Sequence, residues 1–347
     1  MTLKTIATLA GVSVSTVSRI INSPDDNFAR KEVRDRVWNV IKETGYTPNQ
    51  NAKDLKLGKT KTPNTPVGAL CCILGRTKTL DDNPFFAQLS RVIEQQAMER
   101  GYPVRLSYSV FDIKEAPTLQ KIEGMRIDGA IVLGRFDKSA VSFLERHYKN
   151  IVYVGRNEIS ASWDQVICDG YEATRIALGH LLSLGHRRIG YIGETKNEIR
   201  YKAYLDILKE NGIEQEPCLI AECPQNSVEG GYQGADTLLR QSAASLPPAV
   251  FCASDIVAIA ALRRFKEARI KVPDRISVIS IDNIELSSYV SPMLTTVGIP
   301  IREMGSIAVQ TLIGHIQKQH VLPLKIYLPN KLILRESVAN LNEGMYI

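Results

Sequence analysis

Ser15, Ser18 and Arg19 are polar residues near the start of the chain, and their types and spacing suit contact with a nucleic acid. If this segment is helical, they share its outward side with Val14, since residues three and four apart are neighbours on a helix. Short side chains let a helix lie deep in the major groove, and a guanidinium can bond a guanine edge or a phosphate. The segment therefore predicts a DNA-reading surface.

Two helices and a tight turn must hold that surface. Apolar residues recur at helical spacing before and after Gly11, a residue that allows a turn conformation in which a side chain would be strained. Ala7 and Ala10 are small where the helices would cross, and Val12 and Val17 fill the contact. This pattern predicts a helix-turn-helix, with a third helix over residues 31–44.

The charge of the chain is concentrated in the same region. The chain has 347 residues and a net charge of +6, and residues 1–62 contain eleven Lys or Arg against six Asp or Glu. Such an asymmetry indicates a polyanionic partner for the N-terminal segment.

The rest of the chain has a different pattern. Short apolar runs alternate with amphipathic helical stretches, which is typical of βαβ units and buried parallel sheets. The runs are residues 67–74, 104–108, 129–133, 151–154, 188–192, 249–252 and 276–281, and the helices include 86–100, 170–184 and 255–268. Residues 58–66 are basic and rich in Thr and Pro, which indicates a linker.

The segments Ala10–Asn22 and Gly45–Leu55 resemble the signature of the LacI/GalR family of transcription regulators. The resemblance implies a helix-turn-helix domain over 1–48 and a hinge helix and linker over 49–66. In the hinge, Lys53 replaces the usual Arg. Before the third helix, Arg30 stands where a Ser cap is common. The DNA-contacting residues it implies, with Leu55 as a wedge in the minor groove, are Thr5, Val14, Ser15, Thr16, Ser18, Arg19, Asn22, Asn49, Ala52, Lys53 and Leu55.

The resemblance continues through residues 67–340. It implies a type I periplasmic-binding-protein-like domain of two doubly wound α/β subdomains, which serves ligand binding and dimerisation. We expect the N-subdomain over 67–163 and 297–322, and the C-subdomain over 164–296 and 323–340. The predicted fold is thus an all-α headpiece followed by two parallel-sheet subdomains around a cleft.

Ligands of such folds bind at the carboxyl ends of the strands. The effector-site candidates at those ends are Asn83, Phe85, Asp169, Arg200, Ser254, Asp255 and Asp282, with Trp163 as a further stacking residue. Carboxylates, amides and guanidinium groups suit sugar hydroxyls, and aromatic rings suit the apolar face of a sugar. By family position, Arg200 and Asp282 are the strongest candidates. The pattern is most similar to galactoside-responsive repressors, and purine-responsive members are the alternative.

Other functional classes find little support. The chain has no GxGxxG, GxSxG or HExxH motif, and Gly58-Lys59-Thr60 lacks the glycine and the strand of a phosphate loop. We therefore predict no catalytic residue, metal or cofactor. The absence of an apolar leader and of a membrane-length apolar run argues against a periplasmic sugar-binding protein and favours the cytoplasm. The six cysteines are expected to be reduced.

These observations predict a repressor that binds a palindromic double-stranded operator as a homodimer. A single headpiece offers too little contact for selective binding, and two-fold symmetry doubles it. The effector, a sugar, is expected to weaken operator binding.

Overall fold

The computed structural model describes residues 3–22, 29–44, 68–75, 83–112, 127–241 and 246–342. The chain divides into two compact units, residues 1–65 and 66–347.

The described residues of the first unit form three helices around a small core. They are α1 (Leu3–Ala10), α2 (Val14–Asn22) and α3 (Lys31–Thr44). Ser13 caps α2 by accepting the Thr16 N–H at 3.0 Å, and Gly11 has a φ of 63° in the turn. Ala7, Ala10 and Val17 are buried as predicted. Because these signals are local in sequence, the helix-turn-helix could be identified without the structure.

The second unit contains two six-stranded sheets. The first has the strand order β11-β5-β4-β3-β1-β2 and the second the order β12-β10-β9-β8-β6-β7. Neighbouring strands are parallel except β10 and β12, which pair antiparallel. The strands are β1 (Leu70–Leu74), β2 (Val104–Ser109), β3 (Gly129–Leu133), β4 (Ile151–Gly155), β5 (Asp164–Ile167), β6 (Ile189–Gly193), β7 (Ile220–Glu222), β8 (Ala249–Cys252), β9 (Ser277–Asp282), β10 (Thr295–Gly298), β11 (Lys325–Tyr327) and β12 (Lys331–Ile333).

Within the described ranges, seven helices cover the faces of these sheets. They are α4 (Pro84–Glu99), α5 (Lys138–His147), α6 (Gly170–Ser183), α7 (Ile199–Glu210), α8 (Val228–Gln241), α9 (Asp255–Glu267) and α10 (Ile301–Ile316). Helices α4 and α10 pack against each other, and α10 also lies on β3, β4 and β5. Strands buried on both sides by helices are typical of a parallel sheet. The predicted fold class is therefore confirmed.

The chain passes between the two sheets three times: after β5, after β10 and after β11. The expected subdomain boundaries at residues 164 and 323 were wrong. They place β5 and β11 in the C-subdomain, whereas both strands belong to the first sheet. Asp164 and Gln165 are fully buried polar residues, so β5 lacks the apolar run by which the other central strands were recognised.

The cysteines within the described residues are all free thiols, and Cys218 is exposed whereas the other five are buried. None of the described helices combines the length and the apolar character that a bilayer crossing requires.

Candidate functional site

The outward side of α2 is the candidate DNA-reading surface. Val14, Ser15 and Arg19 are exposed, and Thr16 and Ser18 are partly exposed. Thr5 is exposed on the neighbouring helix α1. The hydroxyl groups of Ser13 and Ser15 lie 2.7 Å apart at the start of α2. The structure thus presents short polar side chains and one guanidinium on one side of the helix.

Several residues of the expected DNA-contacting set lie outside the described residues. These are Asn49, Ala52, Lys53 and Leu55, together with the side chain of Asn22. Their contacts with DNA stay predictions.

A second candidate site is a cavity of about 50 Å³ between the carboxyl ends of the two sheets. Five of the seven predicted effector residues line it: Asn83, Phe85, Arg200, Ser254 and Asp282. Side chains that sequence reasoning missed also line it, notably Phe86, Arg135, Tyr153, Arg156, Asn157, Glu198 and Asn226. The cavity therefore joins an aromatic wall to several charged groups.

Two arginines form ion pairs from one sheet to the other beside the cavity. Arg156, which follows β4, donates a hydrogen bond to the carboxylate of Asp282 at the end of β9. Arg135, which follows β3, pairs with Glu198 at 2.8 Å and with Glu194 at 3.3 Å. These three ion pairs join the two subdomains.

Burial and charge oppose each other within the first of these pairs. Burial lowers the pKa of the Arg156 guanidinium, and the Asp282 carboxylate works against that change. Burial raises the pKa of Asp282, while Arg156 and Arg200 act in the opposite direction. A ligand that supplies hydrogen bonds to either group would therefore compensate for part of the lost hydration.

Arg156 and Ser254 each present a polar atom that has no partner. Among the described residues, Nη1 of Arg156 and Oγ of Ser254 are buried side-chain atoms without a hydrogen bond, and both residues line the cavity. Ser254 precedes α9 but does not cap it through its side chain. Because buried polar groups in proteins are normally paired, two unpaired ones beside one cavity indicate a ligand with hydroxyl or carbonyl groups.

Phe85 supplies the aromatic wall. It is buried, and the guanidinium carbon of Arg156 lies 4.8 Å from its ring centroid. Asn83, two residues before Phe85, accepts the Phe85 N–H at 3.0 Å and so caps α4. The ring position is thus fixed by the start of that helix.

The backbone at Asp282 is strained. Its φ is 138°, and Asn283 follows with a φ of 57°. Residues other than glycine adopt such values at a cost of about 1–3 kcal/mol, mostly where function requires an unusual side-chain position. The strain lies at the end of β9, directly beside the cavity.

Arg200 lines the cavity, but its guanidinium is bonded to other groups of the protein. It is buried and bonds Glu198 through two nitrogens, at 2.7 and 2.9 Å, and also the Ala253 carbonyl. Burial opposes its charge, but Glu198 more than offsets this and the pKa of Arg200 is raised. Arg200 and Asp282 both belong to the second subdomain. The side chains that reach across the cleft are those of Arg135 and Arg156.

Two predicted effector residues do not line the cavity. Asp169 caps α6 by accepting the Tyr171 N–H at 2.8 Å. Asp255 is fully buried, and its carboxylate accepts hydrogen bonds from Ser280, Thr296 and the Ile284 N–H at 2.5–2.9 Å. Trp163 was also placed wrongly, because it packs in the core around Tyr153 rather than in the cleft.

The buried position of Asp255 predicts a pH-dependent stability. Burial raises its pKa from 3.8 to about 7, so the folded protein holds a proton that the unfolded chain releases across that interval. The free energy of unfolding should therefore fall as the pH rises through this window, by up to about 1.4 kcal/mol per pH unit.

Urea denaturation of the parent and of Asp255→Asn at about pH 5 and about pH 8 measures this effect. The free energy of unfolding of the parent, relative to that of Asp255→Asn, should be lower at about pH 8 than at about pH 5. A difference that stays constant would show that Asp255 titrates at an ordinary pKa.

A larger groove of about 770 Å³ lies along α4 and α10. Its walls include the exposed residues Gln88, Arg91 and Gln95, and among the described residues it has no buried polar atom without a partner. We therefore assign the effector to the smaller cavity between the sheets.

Known protein families and sequences match both parts of the chain. Residues 2–49 match the family described as bacterial regulatory proteins, lacI family, and residues 178–338 match a periplasmic binding protein-like domain. The ribose operon repressor of Haemophilus influenzae is 31% identical over 345 residues, which cover 98% of this chain and 99% of the relative. The transcriptional repressor PurR of Aliivibrio fischeri is 29% identical over 348 residues and covers 98% of each chain.

Solved structures of similar proteins include sugar complexes. A complex of the transcriptional regulator CelR with cellobiose has a TM-score of 0.70 and 26% identity, and covers 97% of this chain and 99% of that one. A LacI family transcriptional regulator from Enterococcus faecium with bound ribose has a TM-score of 0.68 and 26% identity, over 79% of this chain and 99% of that one. The relatives named here are not specifically galactoside repressors.

Proposed function

This chain belongs to the lacI family of bacterial regulatory proteins, and we propose that a monosaccharide bound between its two sheets controls its affinity for operator DNA. It is a DNA-binding transcriptional repressor that responds to a small-molecule effector. The observation that carries the proposal is the pair of unpaired polar atoms, on Arg156 and Ser254, beside an enclosed cavity with an aromatic wall.

The size of the cavity favours a small effector. About 50 Å³ is the space of a few water molecules, since one water needs about 10–15 Å³ by the same kind of measure. A pentose or a hexose needs only a modest opening of the cleft, whereas a disaccharide or a galactoside with a large aglycone needs a wider one. We therefore infer a free monosaccharide such as ribose.

The chemistry of the cavity favours a sugar over a purine. Paired carboxylates and guanidinium groups, such as Asp282 with Arg156 and Glu198 with Arg135, offer acceptors and donors side by side for neighbouring hydroxyls. One face of Phe85 is covered by Arg156, which leaves little room for a base to stack there. Purine-responsive regulation stays the alternative, because purine repressors are among the relatives.

Calorimetric titration with ribose, galactose, lactose, cellobiose and hypoxanthine tests the proposal, and Ser254→Ala serves as the site variant. Since Oγ of Ser254 has no partner in the protein, its removal should leave stability unchanged. It should weaken binding of the monosaccharide by about 0.5–1.5 kcal/mol, the worth of one hydrogen bond. Ser90→Ala is a matched control, because Ser90 is equally buried but does not line the cavity.

The proposal fails if hypoxanthine alone binds, or if a monosaccharide binds equally to the parent and to Ser254→Ala. A galactoside that binds more tightly than ribose or galactose would support the galactoside reading of the sequence instead.

We further propose that the protein binds its operator as a homodimer through the surface of α4. Arg91, Glu94 and Met98 are exposed along this helix, and Met98 has 75% of its surface accessible. Light scattering should give the mass of two chains.

A further inference from the structure

Asp164, His315 and His320 form a cluster at the edge of the first sheet that lies away from the cavity. Asp164 is the first residue of β5, His315 lies in the last turn of α10, and His320 lies in the segment that leads to β11. Nδ1 of His315 and Nε2 of His320 each lie 3.0 Å from Oδ2 of Asp164. Three side chains of types that bind transition metals, one carboxylate and two imidazoles, thus lie together.

The carboxylate of Asp164 is fully buried. Its Oδ1 accepts the Leu324 N–H at 2.8 Å, which leaves Oδ2 to the two imidazoles. Within the described ranges, the ion pairs recorded for Asp164 are those with His315 and His320, and neither Lys nor Arg takes part. Burying a carboxylate is costly unless a positive charge is beside it. A cation bound by Oδ2 and the two imidazoles would place a positive charge beside this carboxylate.

The spacing of the ligand atoms fits a metal ion. The three atoms lie within 4.8 Å of one another. With metal–ligand bonds of about 2.0–2.1 Å, oxygen–nitrogen separations near 3.0 Å correspond to bond angles somewhat above 90°. The side chains of His315 and His320 are 27% and 18% exposed, so an ion can enter and water can complete its coordination. We propose that Asp164, His315 and His320 bind a divalent transition-metal ion such as Zn²⁺.

Such an ion would join three separate segments of the first subdomain. Leu324 is tied to β5 at both backbone atoms, through its N–H to Asp164 and through its carbonyl to the Gln165 N–H. The segment from His320 to Leu324 precedes β11, after which the chain crosses to the second sheet. A metal bound at this cluster should therefore stabilise the edge of the sheet, by mass action on the folded state.

Titration of the untagged, chelator-treated full chain with ZnCl₂ by calorimetry tests this, with CoCl₂ absorption as a second readout of coordination. The exposed thiol of Cys218 is removed by Cys218→Ser in every sample, since a free thiol can also bind zinc. We expect one ion per chain and a rise in the melting temperature. His315→Gln and His320→Gln should each weaken binding by more than about tenfold, because even outer-shell changes cost that much.

His147→Gln is the matched control, because His147 is exposed on α5 and bonds only the Phe143 carbonyl among its recorded hydrogen bonds. It should bind zinc like the parent. Since both cluster histidines are partly exposed, their variants should fold, and circular dichroism checks this. Absence of binding by the folded parent, or equal binding by the parent and His320→Gln, would overturn the proposal and leave a hydrogen-bonded triad.

Discussion

Arg19→Ala should abolish specific operator binding while leaving the affinity for the sugar unchanged. Arg19 is exposed on the outward side of α2, beside Ser15 and Ser18. A guanidinium that bonds a base edge contributes about 1–3 kcal/mol to discrimination between the correct base and a wrong one. Because a dimer presents two such contacts, the operator affinity should fall by about 2–6 kcal/mol, or between ~30-fold and ~10⁴-fold.

Arg36→Ala is the matched control for this experiment. Arg36 is exposed on α3, and its loss removes the same charge without touching α2. Fluorescence anisotropy on operator and on scrambled duplexes separates the two effects. We expect Arg36→Ala to reduce the affinity for both duplexes by a similar, small factor. Arg19→Ala should remove the preference for the operator over the scrambled duplex. Equal losses in the two variants would mean that Arg19 contributes charge alone.

Asp282→Asn should sharply reduce sugar binding. Asparagine tolerates the positive φ at this position, so the turn after β9 should persist. The substitution removes a charged acceptor from the cavity and leaves Arg156 beside it without its counter-charge. Hydrogen bonds to charged groups contribute about 1.5–3 kcal/mol, so affinity should fall by at least ~10-fold.

Asp236→Asn controls for the loss of a carboxylate in the same subdomain. Asp236 pairs with Arg240 and Arg264 away from the cavity, and such partly exposed pairs contribute little. Its sugar affinity, measured by calorimetry, should match that of the parent. If Asp282→Asn also matches the parent, the sugar does not contact this carboxylate, and the assignment of the cavity is wrong.

The two units differ in how far their sequence predicts their structure. In the headpiece, the turn at Gly11, the cap at Ser13 and the apolar positions are all within a few residues of one another, so local rules sufficed. In the second unit, seven apolar strands were identified, but β5, β7, β10, β11 and β12 were not. β5 and β10 begin with polar residues, and β7, β11 and β12 have only three residues each, too few to show a clear pattern.

The same distinction applies to the cavity. The rule that ligands bind at the carboxyl ends of strands identified Ser254 and Asp282, yet it applied equally to Arg135 and Arg156, which follow β3 and β4. Arginine after a strand is usually solvated, and only the facing sheet shows that these two cross the cleft. Asp255 also follows a strand, but its carboxylate is engaged by Ser280 and Thr296 from neighbouring strands.

The residues of the histidine cluster are too far apart in the sequence for local patterns to predict their contact. His315 and His320 are five residues apart, and Asp164 lies some 150 residues earlier in the chain. The packing of α10 on β5 brings Asp164 close to the two histidines.

Under the proposed function, the sugar and the operator bind different domains of the chain, and each affinity depends on the other ligand. Each ligand can influence the other only through a different preference for the arrangement of the two subdomains. Arg156 with Asp282 and Arg135 with Glu198 cross the cleft between those subdomains, so a sugar that replaces or reinforces these pairs shifts that arrangement.

The most direct test is the affinity for the sugar, measured by calorimetry with and without a saturating operator duplex. We expect the operator to weaken sugar binding by about 1–3 kcal/mol, and the sugar to weaken operator binding by the same factor, since the coupling is reciprocal. Asp282→Asn should lose this coupling together with sugar binding. Equal sugar affinities with and without the operator would contradict the proposed regulation. If the operator instead strengthens sugar binding by the protein, the sugar is a corepressor.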